Sequence, residues 1–127
     1  MDAAPLVPAT ILVIDDDAAL LGFLEELLTL AGYQVRTASS ETDGLRQATT
    51  GPVSAILLDR RLSDVDGLIL CRSLRDLLGE EVPILLLTGD ADRALDTAAR
   101  AAGASTVIGK PFAVDALLRQ VAAHLGP

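Results

Sequence analysis

Short runs of aliphatic residues alternate along this chain with longer stretches in which apolar side chains recur every three or four positions. The runs are Thr10–Asp15 (TILVID), Tyr33–Ala38 (YQVRTA), Val53–Asp59 (VSAILLD), Val82–Thr88 (VPILLLT) and Ala104–Gly109 (ASTVIG). Four are nearly continuous in aliphatics, which suits strands covered on both faces; the second alternates and reads as an edge. Between them, Leu20, Leu24, Leu27 and Ala31 mark one face of a first helix that ends before Gly32. Ser40 is placed to cap a second helix over residues 41–50, stopped by Gly51-Pro52. A third covers Gly67–Leu78 and stops at Gly79, a fourth covers Ala91–Ala102 with Gly103 closing it, and a fifth covers Ala113–Leu125.

Strict alternation of strand and helix implies an α/β fold with a parallel sheet, right-handed crossovers and helices on both faces. For a doubly wound (βα)5, flavodoxin-like sheet of this size the expected strand order is 2-1-3-4-5, and the crevice lies at the carboxyl ends of the strands. Residues 1–9 read as an N-terminal tail and residues 10–125 as one domain, the amount a chain of 127 residues can supply.

The residues at those strand ends are polar although half the chain is hydrophobic. The first run ends in Asp15-Asp16-Asp17, the third in Asp59, the fourth in Thr88, and the fifth leads into Lys110-Pro111. In the expected order these tips converge. Two carboxylates about 4 Å apart at a partly buried site repel by about 4 kcal/mol, so the acids need cations among them. Lys110 is one; an oxygen-seeking divalent ion such as Mg²⁺ supplies the rest. A carboxylate, Mg²⁺, a Lys ammonium and a Thr hydroxyl form a phosphoryl-transfer set, in which the carboxylate attacks phosphorus and the others neutralise or hydrogen-bond the oxygens.

Charge narrows the partners. With Lys+Arg 10 against Asp+Glu 18 and a net charge of -8, the chain has no electrostatic footprint for nucleic acid or an anionic membrane. A single Cys and a single His set aside an internal disulfide, Ser-His-Asp catalysis and Cys/His zinc. Met1-Asp2-Ala3-Ala4-Pro5 lacks a basic leader region and no apolar run approaches the roughly eighteen residues of a membrane span, so a cytoplasmic protein is expected.

The text of these motifs resembles the receiver domain of bacterial two-component response regulators over residues 9–125: ILVIDDD at Ile11–Asp17, ILLD at Ile56–Asp59, the Leu62…Asp66-Gly67 turn, PILLLTG at Pro83–Gly89, Gly103-Ala104 and Lys110-Pro111-Phe112. The resemblance implies that Asp59 is the phosphoacceptor, that Asp15 and Asp16 with Asp59 and the Arg61 carbonyl hold Mg²⁺, that Thr88 and Lys110 sense the phosphoryl group, and that the Lys110-Pro111 bond is cis. It implies as partners a sensor histidine kinase or a histidine phosphotransfer protein, and a downstream target or fused effector, in a monomer or a phosphorylation-linked homodimer. It also implies a phosphoacceptor with at most self-phosphorylation and autodephosphorylation activity. Ending at Pro127 after the fifth helix, the chain is expected to be a stand-alone regulator or a receiver cut from a transcription factor or hybrid kinase.

Three positions depart from the family pattern. Val107 stands where an aromatic ring usually swings inward, and a β-branched side chain has no ring to reorient; output then relies on backbone movement, or the protein only relays phosphate. Ser63 stands where a Pro is common. Arg61 and Asp90, two positions beyond Asp59 and Thr88, are expected to pair over the site and flank the path of hydrolytic water. Leu21 and Leu28 read either as part of a broad buried stripe of the first helix or as a docking face for the kinase; Asp92, Arg93, Asp96 and Arg100 read as a solvated face of the fourth helix or a dimerisation surface.

Two other readings use the same residues. A haloacid dehalogenase-type phosphatase would take Asp15 as nucleophile, Asp17 as general acid, and Thr88 and Lys110 as later motifs, leaving Asp59 and the Asp66-Gly67 turn without a role. A phosphorylation-independent, receiver-like binding module would keep the fold alone.

Overall fold

A computed structural model of the chain describes residues 8–90 and 92–125. Of the expected tail only Pro8 and Ala9 fall within them. Five strands, β1 (Thr10–Ile14), β2 (Gln34–Ala38), β3 (Ala55–Asp59), β4 (Ile84–Thr88) and β5 (Thr106–Gly109), alternate with α1 (Ala18–Leu30), α2 (Glu41–Ala48), α3 (Gly67–Leu78), α4 (Arg93–Ala101) and α5 (Val114–Leu125). The strands form one parallel sheet in the order β2-β1-β3-β4-β5. The doubly wound α/β architecture is therefore the one the alternation implies.

Side chains of successive strand residues go to opposite faces, and the aliphatic runs divide accordingly. Leu12, Ile14, Ile56, Leu58, Ile84 and Leu86 pack with Leu70, Leu74 and Ala99 beneath α2, α3 and α4. Ile11, Val13, Leu57, Leu85 and Leu87 pack with Leu24, Leu28, Leu117 and Val121 beneath α1 and α5. Central strands β1, β3 and β4 are buried throughout. β5 differs from the expectation of full coverage: as the second edge it is half-buried at all four positions.

Two helices are read differently once packed. In α1 the fully buried residues are Leu24 and Leu28, with Leu20, Leu21 and Leu27 packed around them, while Ala31 is exposed. Leu21 and Leu28 thus belong to the stripe that covers the sheet and are not a docking face; the large apolar side chains α1 exposes are Phe23 and Leu30. A helix lying on a twisted sheet buries an arc wider than the i, i+4, i+7 line, which is why the two sets merge. The expected start of the fourth helix, Ala91, lies outside the described residues. α4 begins at Arg93 because Asp92 is its N-cap, accepting from the Leu95 amide at 2.8 Å, so Asp92 closes the helix end and is not one of its face charges. The ends of α2 and α5 shift inward by one or two residues.

Candidate functional site

The geometry of the site follows from where each strand stops. Asp15 directly follows β1, Asp59 and Thr88 are the last residues of β3 and β4, and Lys110 directly follows β5. Parallel register brings these ends to one edge of the sheet: Leu58 lies opposite Ile14, Asp59 opposite Leu87, and Thr88 opposite Gly109. The Lys110 amide donates to the Thr88 carbonyl at 2.7 Å, fixing where the lysine leaves the sheet. Its bond to Pro111 is cis, as the resemblance implies.

Lys110 Nζ donates to Asp59 Oδ1 at 2.7 Å and lies 3.9 Å from Asp15 Oδ2. One oxygen from each of Asp15, Asp16 and Asp59 lies within 4.8 Å of the others. Asp15 and Asp59 are buried, and Asp16 is exposed at the mouth. One ammonium faces three carboxyl groups, and the result is visible in Asp15: burial first, then the charges of Asp59 and Asp16, push its pKa up to about 6 against the Asp17 amide and Lys110, which pull it down. Asp15 Oδ1 accepts the Asp17 amide at 2.9 Å, but the buried Oδ2 has no hydrogen-bond partner among the described residues. A buried acceptor without a donor, beside two more carboxylates, fits an oxygen-ligated divalent cation.

The neighbouring residues hold this cluster in place. Asp17 caps α1, its Oδ1 accepting from the Ala19 and Leu20 amides at 3.0 and 3.2 Å. Thr88 is buried, and its hydroxyl accepts the Asp90 amide at 3.0 Å. Arg61 is at the mouth with its guanidinium turned to Asp90, pairing through both Nε and Nη2. This ion pair is the one the spacing predicts, and it holds the Asp90 carboxyl below the usual range. Of the candidate residues, Asp15, Asp16, Asp59 and Lys110 are gathered into one cluster, Thr88 is tied to the Asp90 amide, and the Arg61 side chain pairs with Asp90.

Two contributors escape sequence reasoning. Arg60, half-buried, reaches Asp66 at 3.5 Å and Asp90 at 4.0 Å. Gly67, which the motif marks only as part of a turn, has its amide 2.6 Å from the Arg60 carbonyl, and a Cβ there would sit 2.5 Å from the Asp59 carbonyl oxygen and 2.7 Å from Arg60 Cα. The start of α3 is packed directly behind Asp59, the last residue of β3, and only glycine fits.

Comparison with known proteins shows the family. The family model for the response regulator receiver domain matches residues 11–122. The chain belongs to that family. Among curated relatives it is 36% identical over 119 residues to the response regulator MprA of Mycobacterium sp. (strain KMS), covering 94% of this chain and 51% of that protein. It spans about half the length of the curated relatives it matches. Among solved structures, a CheY-like response regulator receiver domain protein from Methanospirillum hungatei JF-1 superposes with a TM-score of 0.87 at 28% identity, covering 93% of this receiver and 94% of that chain. A response regulator from Burkholderia pseudomallei, solved with a phosphorylated aspartic acid, a calcium ion and citrate, gives a TM-score of 0.83 at 32% identity over 92% of this receiver and 68% of that chain. The family is a signalling phosphoacceptor of two-component systems, not a classical enzyme, and it takes divalent ions at its acidic pocket. The phosphatase reading lapses with this membership, and with Asp17, its general acid, occupied in capping α1.

Proposed function

We propose that this receiver accepts a phosphoryl group on Asp59 from the phosphohistidine of a sensor histidine kinase or a histidine phosphotransfer protein, with Mg²⁺ held by Asp15, Asp16, Asp59 and the Arg61 carbonyl. The observation that carries the reading is the buried Asp59 carboxylate with Lys110 Nζ at 2.7 Å from one oxygen and two further acids beside it. An Asp59 oxygen attacks phosphorus, the P–N bond to the donor imidazole breaks, and the imidazole leaves with the bonding pair. The product is an acyl phosphate on Asp59. The divalent ion, when bound, supplies positive charge to the phosphoryl oxygens. Lys110 follows the charge from the Asp59 oxygen to the phosphoryl group, and the buried Thr88 hydroxyl, at the end of the neighbouring strand β4, is a second donor to it. Water attacking phosphorus returns inorganic phosphate and the free carboxylate.

Output is a change of partner. Movement of Thr88 is transmitted to the Asp90 amide it holds, and so into the β4–α4 segment. The half-buried Val107 has no ring to turn inward, so backbone movement in that segment carries the signal, or the receiver relays phosphate onward. The downstream target is a separate protein or a fused effector domain, and the receiver works in the cytoplasm as a monomer or a phosphorylation-linked dimer. No helix among the described residues is long and apolar enough to cross a membrane. The test is labelling by a small phosphodonor such as acetyl phosphate: the intact chain gains one acid-stable, base-labile phosphoryl group in Mg²⁺ and none in EDTA, and Asp59→Ala abolishes it. Labelling that survives Asp59→Ala overturns the assignment, and a chain that takes no label under any condition is the phosphorylation-independent module.

A further inference from the structure

The loop between β3 and α3 is pinned to its surroundings at three points. The Ser63 amide donates to Asp16 Oδ2 at 2.7 Å, the Glu41 amide in the first turn of α2 donates to Asp64 Oδ2 at 3.0 Å, and Arg61 pairs with Asp90. The first tie requires a main-chain N–H at position 63, which the proline common there in the family lacks. Asp16 is the exposed member of the acidic cluster. A charge-assisted bond to a loop that is itself anchored on both sides selects one orientation of its carboxylate. The bond leaves Asp16 Oδ1 and the second lone pair of Oδ2 open to a cation.

We infer that the Ser63 main-chain amide is a positioning group for the metal site: it sets the Asp16 carboxylate toward Asp15 and Asp59 before a cation arrives. The inference rests on the proposed role of Asp16 as a metal ligand. Where a proline would stiffen the loop, this chain tethers the ligand itself, and the serine hydroxyl has no part in it. Ordering one exposed side chain in advance corresponds to a roughly three- to tenfold tighter cation site.

Calorimetric titration of the intact chain with Mg²⁺ tests this. Ser63→Pro weakens binding about three- to tenfold, while Ser63→Ala, which keeps the N–H, binds as the wild type does. In an Asp16→Ala background Ser63→Pro has no further effect, because the tether has lost its object; a general disturbance of the loop would add to the Asp16→Ala loss instead. A second measurement needs no proline: in EDTA, amide hydrogen exchange at Ser63 is severalfold faster in Asp16→Ala than in the wild type. Wild-type Mg²⁺ affinity in Ser63→Pro, additive losses in the double variant, or unchanged exchange at Ser63 overturns the inference alone. Absence of Mg²⁺ binding by the wild type overturns it together with the reading of the site.

Discussion

Replacing Asp15 with asparagine makes the metal-free receiver more stable at neutral pH. In the fold its carboxyl has a pKa of about 6 against an ordinary 3.8, chiefly because it is buried. At about 1.4 kcal/mol per tenfold change in proton affinity, that gap costs the ionised form about 3 kcal/mol of folding free energy. The sign follows from the direction. A raised carboxyl binds its proton more tightly in the folded chain, so below about pH 3.8 both states are protonated and nothing is lost. The loss grows as pH rises and is complete above about pH 6. The side-chain amide of Asp15→Asn keeps an oxygen for the Asp17 amide but carries no charge to desolvate, so the variant is free of this cost. For a domain of this size about 3 kcal/mol moves Tm by roughly 10 °C. Thermal unfolding in EDTA at pH 7 therefore finds Asp15→Asn melting roughly 10 °C above the wild type, the gap closing toward pH 4. Added Mg²⁺ raises the wild type by mass action and leaves the variant nearly unmoved. An Asp15→Asn protein that melts at or below the wild type at pH 7 in EDTA, or a gap that does not depend on pH, refutes the reasoning.

Other expectations concern the rim and the backing of the site. Arg61→Ala removes the ion pair with Asp90 at the mouth and changes the autodephosphorylation rate severalfold, read as the half-life of the labelled protein; an unchanged half-life counts against a role in the water's path. Gly67→Ala forces a Cβ to within 2.5 Å of the Asp59 carbonyl, so the α3 start or the Asp59 backbone must move. Overpacking of this kind costs about 2 kcal/mol and lowers both Tm and phosphodonor labelling, whereas a wild-type melt would show that the backbone yields freely.

The strands and the site were legible because both depend on a local coincidence: a continuous aliphatic run ending in a polar residue. Parallel order turns that into geometry, since every carboxyl end then lies on the same edge. The arc buried by α1 was not legible, because Leu28 and Ala31 differ only in how the helix rolls on the sheet. Asp92 reads equally well as a surface charge or a cap until the Leu95 amide is seen to face it. Gly67 and the Ser63 amide depend on approaches between segments that no spacing rule encodes, and a main-chain donor leaves no trace in side-chain chemistry. Arg61 and Asp90 were accessible because each lies two residues past a strand end, where side chains of neighbouring loops face one another.

The run Asp15-Asp16-Asp17 looks like a repetition of one residue, yet its members are not exchangeable. The first is buried with an unpartnered oxygen, the second reaches across to the Ser63 amide, and the third closes the start of α1. Each duty is fixed by distance along the chain from the end of β1. A single-codon deletion anywhere in the run would therefore give one and the same protein, with two acids for three positions and the helix start drawn one residue toward the sheet. An added fourth aspartate would not be a spare, because the cap would shift past the turn that α1 needs. What reads as a low-complexity acidic stretch is in effect a ruler, in which position and not charge count carries the information.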